Sequence, residues 1–170
     1  MPPNNPPVSR YTLHRLRRRY HYDPDNGIFR NGSATGKIAG VVSSFGYLKI
    51  KFDSREIMAH RLAWLYVNGR WPTDQIDHMD GDKLNNRMAN LRDVVQTLNM
   101  QNQRVAHKGS ATGLLGTYWH KRQNTFYAQI RVDKKLLTLG YFTLAEDAHE
   151  AYLSAKRKLH PGSMLTMDMT

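Results

Sequence analysis

Residues 106–112 read Ala-His-Lys-Gly-Ser-Ala-Thr, a run of small and flexible side chains between two stretches of patterned sequence. Such a run reads as a linker. A length of 170 residues suits one ordinary domain or two very small ones, and the break favours two. The expected division is a leader over residues 1–10, a first domain over 11–106, a linker over 107–113, a second domain over 114–160 and a tail over 161–170.

In the first part, Tyr11–Tyr20 suits a basic helix. Tyr22-Asp23-Pro24-Asp25-Asn26-Gly27 is a turn, since Pro24 pre-sets one dihedral and Asn26-Gly27 tolerates positive φ. Ile28–Arg30, Gly36–Val42 and Tyr47–Phe52 follow as strands, the last by its strict alternation. Ile57–Val67 is apolar at helical spacing and stops at Asn68-Gly69. In the second part, Thr117–Lys121, Thr125–Val132 and Lys135–Phe142 read as three strands, with turns at Asn124 and at Asp133-Lys134. Thr143-Leu144-Ala145-Glu146 has the form of a capping box opening a helix that carries Ala148, Ala151, Tyr152, Ala155 and Leu159 on one face. The fold class is therefore α+β. A unit of about fifty residues is marginal alone, so docking or DNA contact would help to hold it.

The net charge of +11, with a pI near 10.0, makes a polyanion the expected partner. Residues 1–60 carry ten Lys/Arg against four Asp/Glu, residues 61–108 seven against five, and residues 109–170 eight against five. The least basic third is the one with carboxylates to spare for a cation. There are no cysteines, which excludes a disulfide framework and a Cys-ligated zinc ribbon. No run of about 18 apolar residues offers a transmembrane helix. The start, Met-Pro-Pro-Asn-Asn-Pro-Pro, lacks a signal peptide's apolar core and reads as a disordered leader, so a cytoplasmic location with the cell's DNA is expected.

The chemistry concentrates between Ile76 and Asn102. Asp77 and His78 stand side by side, Asn90-Leu91-Arg92 follows, and Asn99 comes on a short helix-like run. Asp77 and the side-chain carbonyl of Asn99 can hold a hard, oxygen-seeking cation. His78, whose ordinary pKa lies near neutrality, can take a proton from water. A metal plus a nearby base is the minimum equipment for phosphodiester hydrolysis. Asp80 and Asp82 around Gly81 lack the terminal Glu of a calcium loop and suit a hairpin turn, which Asn85 and Asn86 brace. His60, in the apolar helix, reads as a hydrogen-bonded structural residue or as support for the site, together with Arg61.

These residues also carry a resemblance. Ala59-His60-Arg61-Leu62-Ala63-Trp64, Trp71-Pro72, Ile76-Asp77-His78-Met79-Asp80-Gly81-Asp82, Asn85-Asn86-Arg87, Asn90-Leu91-Arg92 and Asn99–Asn102 resemble an HNH endonuclease, closest to the phage and intron-associated homing branch. Gly116-Thr117-Tyr118-Trp119-His120-Lys121-Arg122, Tyr127-Ala128-Gln129-Ile130, Leu139-Gly140-Tyr141-Phe142 and Ala148-His149-Glu150-Ala151-Tyr152 resemble an AP2 DNA-binding domain. The first resemblance implies a ββα-metal module, with a hairpin over roughly Ile76–Val95 and a helix carrying Asn99. It makes His78 the general base, Asn90 the residue that bonds across the hairpin and orients it, and Asp77 and Asn99 the metal ligands. Many members of that family have histidine where this chain has Asn99, and an amide oxygen favours Mg²⁺ or Mn²⁺ over Zn²⁺. The second resemblance implies a three-stranded antiparallel sheet plus one helix.

Alternation on the second of those strands puts Phe126, Ala128, Ile130 and Val132 toward the helix, leaving Thr125, Tyr127, Gln129 and Arg131 to face a groove. Arg122, Tyr127, Gln129, Arg131 and Lys135 are thus DNA-contact candidates, with Arg15, Arg17, Arg18 and Arg19 as phosphate contacts beside Arg61. The expected activity is metal-dependent hydrolysis of duplex DNA to a 5′-phosphate and a 3′-hydroxyl, by a monomer that nicks one strand. No heptad or self-complementary apolar stripe argues for a dimer. The rival is a non-catalytic AP2-type DNA-binding regulator on a nuclease scaffold.

Overall fold

The computed structural model describes residues 10–164, and these divide between Gln96 and Thr97 into two compact units. The expected leader lies outside the described residues except for Arg10, as does the tail beyond Met164. Among the described residues no helix is long and apolar enough to cross a membrane.

The first unit opens with α1 (Arg10–Arg19), followed by the hairpin β1 (Tyr20–Asp23) and β2 (Ile28–Asn31). The hairpin turns as its sequence requires. Asp23 accepts hydrogen bonds from the Asp25 amide (3.0 Å) and Asn26 Nδ2 (2.5 Å), and Gly27 takes φ +75°. Next come β3 (Val41–Val42), β4 (Leu48–Phe52) and β5 (Arg55–Met58), paired in that order, then α2 (Ala59–Asn68). The expected strand over Gly36–Val42 shrinks to Val41–Val42 plus a lone Arg30–Ile38 bridge. Gly40, at φ +111° and hard against Leu48, bends the chain out of an extended path. The expected helix start at Ile57 is also corrected. Ile57 and Met58 finish β5, because pairing Ile57 with the buried Ile50 secures more than a helical turn would there. α2 does stop at Asn68, with Gly69 left-handed at φ +69°.

A two-stranded hairpin, β6 (Gln75–His78) with β7 (Leu91–Val94), closes the unit, and a 3-10 turn at Met88–Asn90 leads into β7. Leu16, Tyr22, Phe29, Ile50, Phe52, Leu62, Leu65, Ile76 and Leu91 form one core, so β6 and β7 are anchored by Ile76 and Leu91.

The second unit contains most of α3 (Gln96–Gln101), then β8 (Thr117–His120), β9 (Thr125–Val132), β10 (Lys135–Phe142) and α4 (Ala145–Leu159). The sheet is antiparallel in the order β10-β9-β8. Its second and third strands have the ranges the sequence suggested, and positive φ at Asn124, Asp133 and Lys134 marks the expected turns. Phe126, Ala128, Ile130 and Val132 pack with Ala148, Ala151, Tyr152 and Ala155.

Three expectations for this unit need correction. Residues 97–106 were placed with the first domain, but they are tied to the end of the chain. Gln101 Oε1 accepts the Gly162 amide (2.8 Å), Asn102 Oδ1 accepts the Met164 amide (3.2 Å), and the Gln103 carbonyl accepts the Lys156 ammonium. The capping box does not form. α4 is capped at Leu144 without a side-chain bond, so Thr143 stands one residue too early, and Glu146 and Asp147 instead complement the helix's positive end. Leu159 is exposed and Lys156 is buried, its pKa pushed down to about 8 by that burial and next by the charge of Arg104.

Gly116 is the tightest point of the second core: at φ +73°, an added Cβ would stand inside the ring of Tyr152. Gly116→Ala is expected to destabilise this unit by about 2 kcal/mol or more, through backbone strain and overpacking together. Hydrogen exchange at the β9 amides measures it, and unchanged protection would show that the glycine is dispensable.

Candidate active site

Antiparallel pairing sets Asp77 opposite Arg92 and His78 opposite Leu91. Side chains directly opposite each other meet, and here they form an ion pair. Arg92 Nε and Nη2 both donate to Asp77 Oδ2, at 2.8 and 2.6 Å, with the carboxylate buried. The ion pair gives the buried carboxylate a charged partner, without which its burial would be costly.

The loop from Met79 to Asn90 is locked around Asp80. Its carboxylate accepts bonds from the Asp82 amide (2.9 Å), Asn85 Nδ2 (2.5 Å) and Asn90 Nδ2 (2.9 Å), while Asn90 Oδ1 accepts the Asp80 amide at 3.0 Å. Burial pushes the Asp80 carboxyl up, but the bonds from Asn85, Asn90 and Asp82 together outweigh it and hold it below the usual carboxylate range. Asn90 also donates to the Asn85 carbonyl at 2.9 Å. Its side-chain bonds thus go to Asp80 and Asn85 of the loop, and the amide beside His78 is a different one.

The amide at His78 is that of Asn86, which is fully buried. Its Oδ1 lies 3.4 Å from His78 Nε2. Asn86 Nδ2 donates to the Leu84 carbonyl (3.0 Å), which turns the amide oxygen toward the imidazole. An amide oxygen there favours the tautomer with its proton on Nε2 and Nδ1 as the acceptor nitrogen. Burial lowers the His78 pKa, opposed by the Asn86 bond and then by the charges of Asp80, Asp77 and Asp82, and the net effect is downward. The ring is thus held neutral.

Two further rings enclose it. His60, in the first turn of α2, stands 5.1 Å away and nearly perpendicular at 89°, and Tyr47 lies 6.0 Å from His78 and 5.4 Å from His60. His60 Nδ1 is buried without a hydrogen-bond partner. Its pKa falls to about 3, first from burial, then from His78 and Arg61. Asn86 was read from sequence only as a brace and Tyr47 not at all. The doubled asparagine at 85–86 was the available signal for the first; the second meets the site only through tertiary packing.

Other expected site residues fall elsewhere. Asn99 is half-buried on α3, its carbonyl accepting the Asn102 amide at 3.1 Å. Arg61 is buried and donates to the Asp74 carbonyl at 3.2 Å, so it positions the approach to β6 rather than facing outward. Arg15, Arg17, Arg18 and Arg19 are exposed on α1. Arg15 pairs with Asp53 (2.7 Å), Arg17 reaches the Tyr66 carbonyl (2.8 Å) and Arg19 the Tyr20 hydroxyl (3.3 Å). In the second unit, Tyr127 stacks on Tyr118 with ring centres 5.4 Å apart, Gln129 donates to Thr138 at 3.0 Å, and Arg122, Arg131 and Lys135 are exposed.

The Asp77 carboxylate, in the first unit, and the Asn99 side-chain amide, in the second, each carry hard oxygen donors of the kind that suits Mg²⁺ or Mn²⁺. Among the described residues no group of three His, Cys, Asp or Glu side chains is placed to hold a metal ion.

Residues 58–101 match the HNH endonuclease family, and that stretch contains Asp77, His78, Asn90 and Asn99. A solved structure described as "DNA binding and cleavage by the HNH homing endonuclease I-HmuI" is similar at 28% identity and a TM-score of 0.41, over 50% of this chain and 51% of that one. The chain therefore spans about half the length of that protein. No curated protein matches the chain.

Burial of neutral His60 fixes a pH dependence. The unfolded side chain binds a proton near pH 6.5 and the folded one only near 3, so the first unit loses stability as pH falls from 6.5 toward 3. The slope from this one group approaches about 1.4 kcal/mol per pH unit. His60→Phe is expected to flatten urea-midpoint curves over that window, and an unaltered acid slope would place the linkage elsewhere.

Proposed function

We propose that this chain is a metal-dependent DNA endonuclease of the HNH homing type. The observation that carries the reading is His78: a buried, neutral imidazole, oriented through Nε2 by Asn86 and adjacent to Asp77, within the stretch that matches the HNH family. A base must be unprotonated at working pH and have its acceptor nitrogen fixed, and the lowered pKa and the Asn86 contact of this histidine support that role.

His78 Nδ1 takes a proton from water. The water oxygen forms a bond to phosphorus as the bond from phosphorus to the 3′-oxygen breaks, and the leaving oxygen takes a proton from solvent, giving a 5′-phosphate and a 3′-hydroxyl. Asp77 and Asn99 would hold Mg²⁺ or Mn²⁺. When bound, the cation supplies positive charge to the crowded phosphate and the leaving oxygen. Asn99 enters this set from the family resemblance. Arg92 keeps the Asp77 carboxylate aligned, and the Asp80, Asn85 and Asn90 lock stops the loop from carrying Asn86 away from the ring.

In the second unit, the sheet face opposite α4 is the proposed contact with duplex DNA, on an AP2-like plan. Tyr127, Gln129 and Arg131 would lie along the groove, with Arg122 and Lys135 at the turns. Charge supports this reading: residues 109–143 hold Lys121, Arg122, Arg131, Lys134 and Lys135 against Asp133 alone. Arg15, Arg17, Arg18 and Arg19 would add phosphate contacts. One hairpin addresses one phosphodiester, so the proposed product is a nick made by a monomer.

His78→Ala is expected to lower the single-turnover cleavage rate by about 10²–10⁴-fold. Affinity for the same duplex in EDTA is expected to stay near wild type, because a base acts on the transition state and not on binding. Wild-type rates in that variant would remove His78 from the mechanism.

A further inference from the structure

We propose that Lys83 is a catalytic residue that binds a non-bridging oxygen of the phosphate being cut. This rests on the nuclease reading above. Lys83 sits in the loop between β6 and β7, and its backbone is fixed on both sides: the Asp82 amide is held by Asp80, and the Leu84 amide by Asp82 Oδ1 at 2.9 Å. The side chain is exposed, yet it does not trail into solvent. Nζ donates to the Phe45 carbonyl at 3.1 Å and lies 4.8 Å above the ring of Tyr47.

That ring is the one packed against both His60 and His78. Taken end to end, the two separations put the Lys83 ammonium no more than about 11 Å from the centre of the His78 ring. The reacting groups need a similar span. Imidazole to water is about 2.8 Å, water to phosphorus about 3.3 Å, and phosphate oxygen to ammonium about 2.8 Å. A cation at that range meets the phosphate whose water His78 activates.

Two other cations of this region are engaged differently. Arg92 is forked onto Asp77, and Arg61 is turned to the Asp74 carbonyl. Among the described residues no carboxylate pairs with Lys83, and its ammonium has three donors, of which the Phe45 carbonyl takes one. The Tyr47 ring face favours a cation over it and restricts the stem's rotamers, so little side-chain entropy is left to lose when a phosphate arrives. A pre-set positive charge is worth most where negative charge accumulates in the transition state.

The test compares wild type, Lys83→Gln, Lys83→Arg, His78→Ala and the remote surface control Lys37→Gln. Single-turnover cleavage of supercoiled plasmid in Mg²⁺ and affinity for the same plasmid in EDTA are read side by side. Lys83→Gln is expected to slow cleavage about 10²-fold. Its affinity in EDTA is expected to change by no more than about threefold, the weight of a single phosphate contact. Lys83→Arg keeps the charge and is expected to recover most of the rate, while Lys37→Gln matches wild type. A Lys83→Gln rate equal to wild type overturns the proposal. So does a rate loss mirrored in affinity, which would mark a remote phosphate contact. A Lys83→Arg variant as slow as Lys83→Gln overturns it too, by making the Phe45 tether structural. If wild type cuts while His78→Ala also cuts, the base assignment fails and the Lys83 comparison still stands; if wild type does not cut, both fall together.

Discussion

Everything at the candidate site depends on the Asp80 carboxylate. Three donors converge on it, from the Asp82 amide, Asn85 and Asn90, and through them a loop with few apolar side chains becomes rigid without a core of its own. Without that lock, Asn86 is held only by the Tyr22 hydroxyl on its carbonyl (2.6 Å) and its own bond to Leu84, and Lys83 has no fixed origin from which to reach Tyr47. The hydrogen bonds that satisfy the carboxylate also keep it ionised, so it does not compete with His78 for a proton.

A second constraint is the isolation of the imidazole. His60 and Tyr47 surround it with rings, and the same burial that lowers the pKa of His78 pushes that of His60 down to about 3. Two histidines 5.1 Å apart cannot both be protonated cheaply. His60 yields, since burial pushes its pKa down to about 3 and it lies in the first turn of a helix, where a cation is disfavoured. A neutral neighbour that does not titrate near pH 7 leaves His78 as the group whose protonation governs the proposed chemistry.

Much of this was legible in the sequence where spacing is local. β9 and β10 follow from alternation between turn residues, and the end of α2 from Asn68-Gly69. Asp77, His78, Asn90 and Asn99 stand out because their types and separations agree with one chemistry. What could not be read depends on register and long-range packing. That Arg92 is the partner of Asp77 needs the pairing of β6 with β7, fifteen residues apart in the chain. That Tyr47 touches both histidines needs β4, α2 and β6 in place together. The attachment of residues 101–103 to Lys156 and Gly162 spans more than fifty positions, and no local pattern announces it. The capping box at Thr143 misled for the opposite reason: a good local motif was overridden by a helix start one residue later.

The most direct test of the account is the fate of supercoiled plasmid incubated with the wild-type chain in Mg²⁺, with and without EDTA, followed by chemical identification of the new ends. The account predicts conversion to the nicked circle in Mg²⁺, none in EDTA, and ends bearing a 5′-phosphate and a 3′-hydroxyl. Plasmid that is bound but left intact in both Mg²⁺ and Mn²⁺, or cut equally well in EDTA, would contradict it.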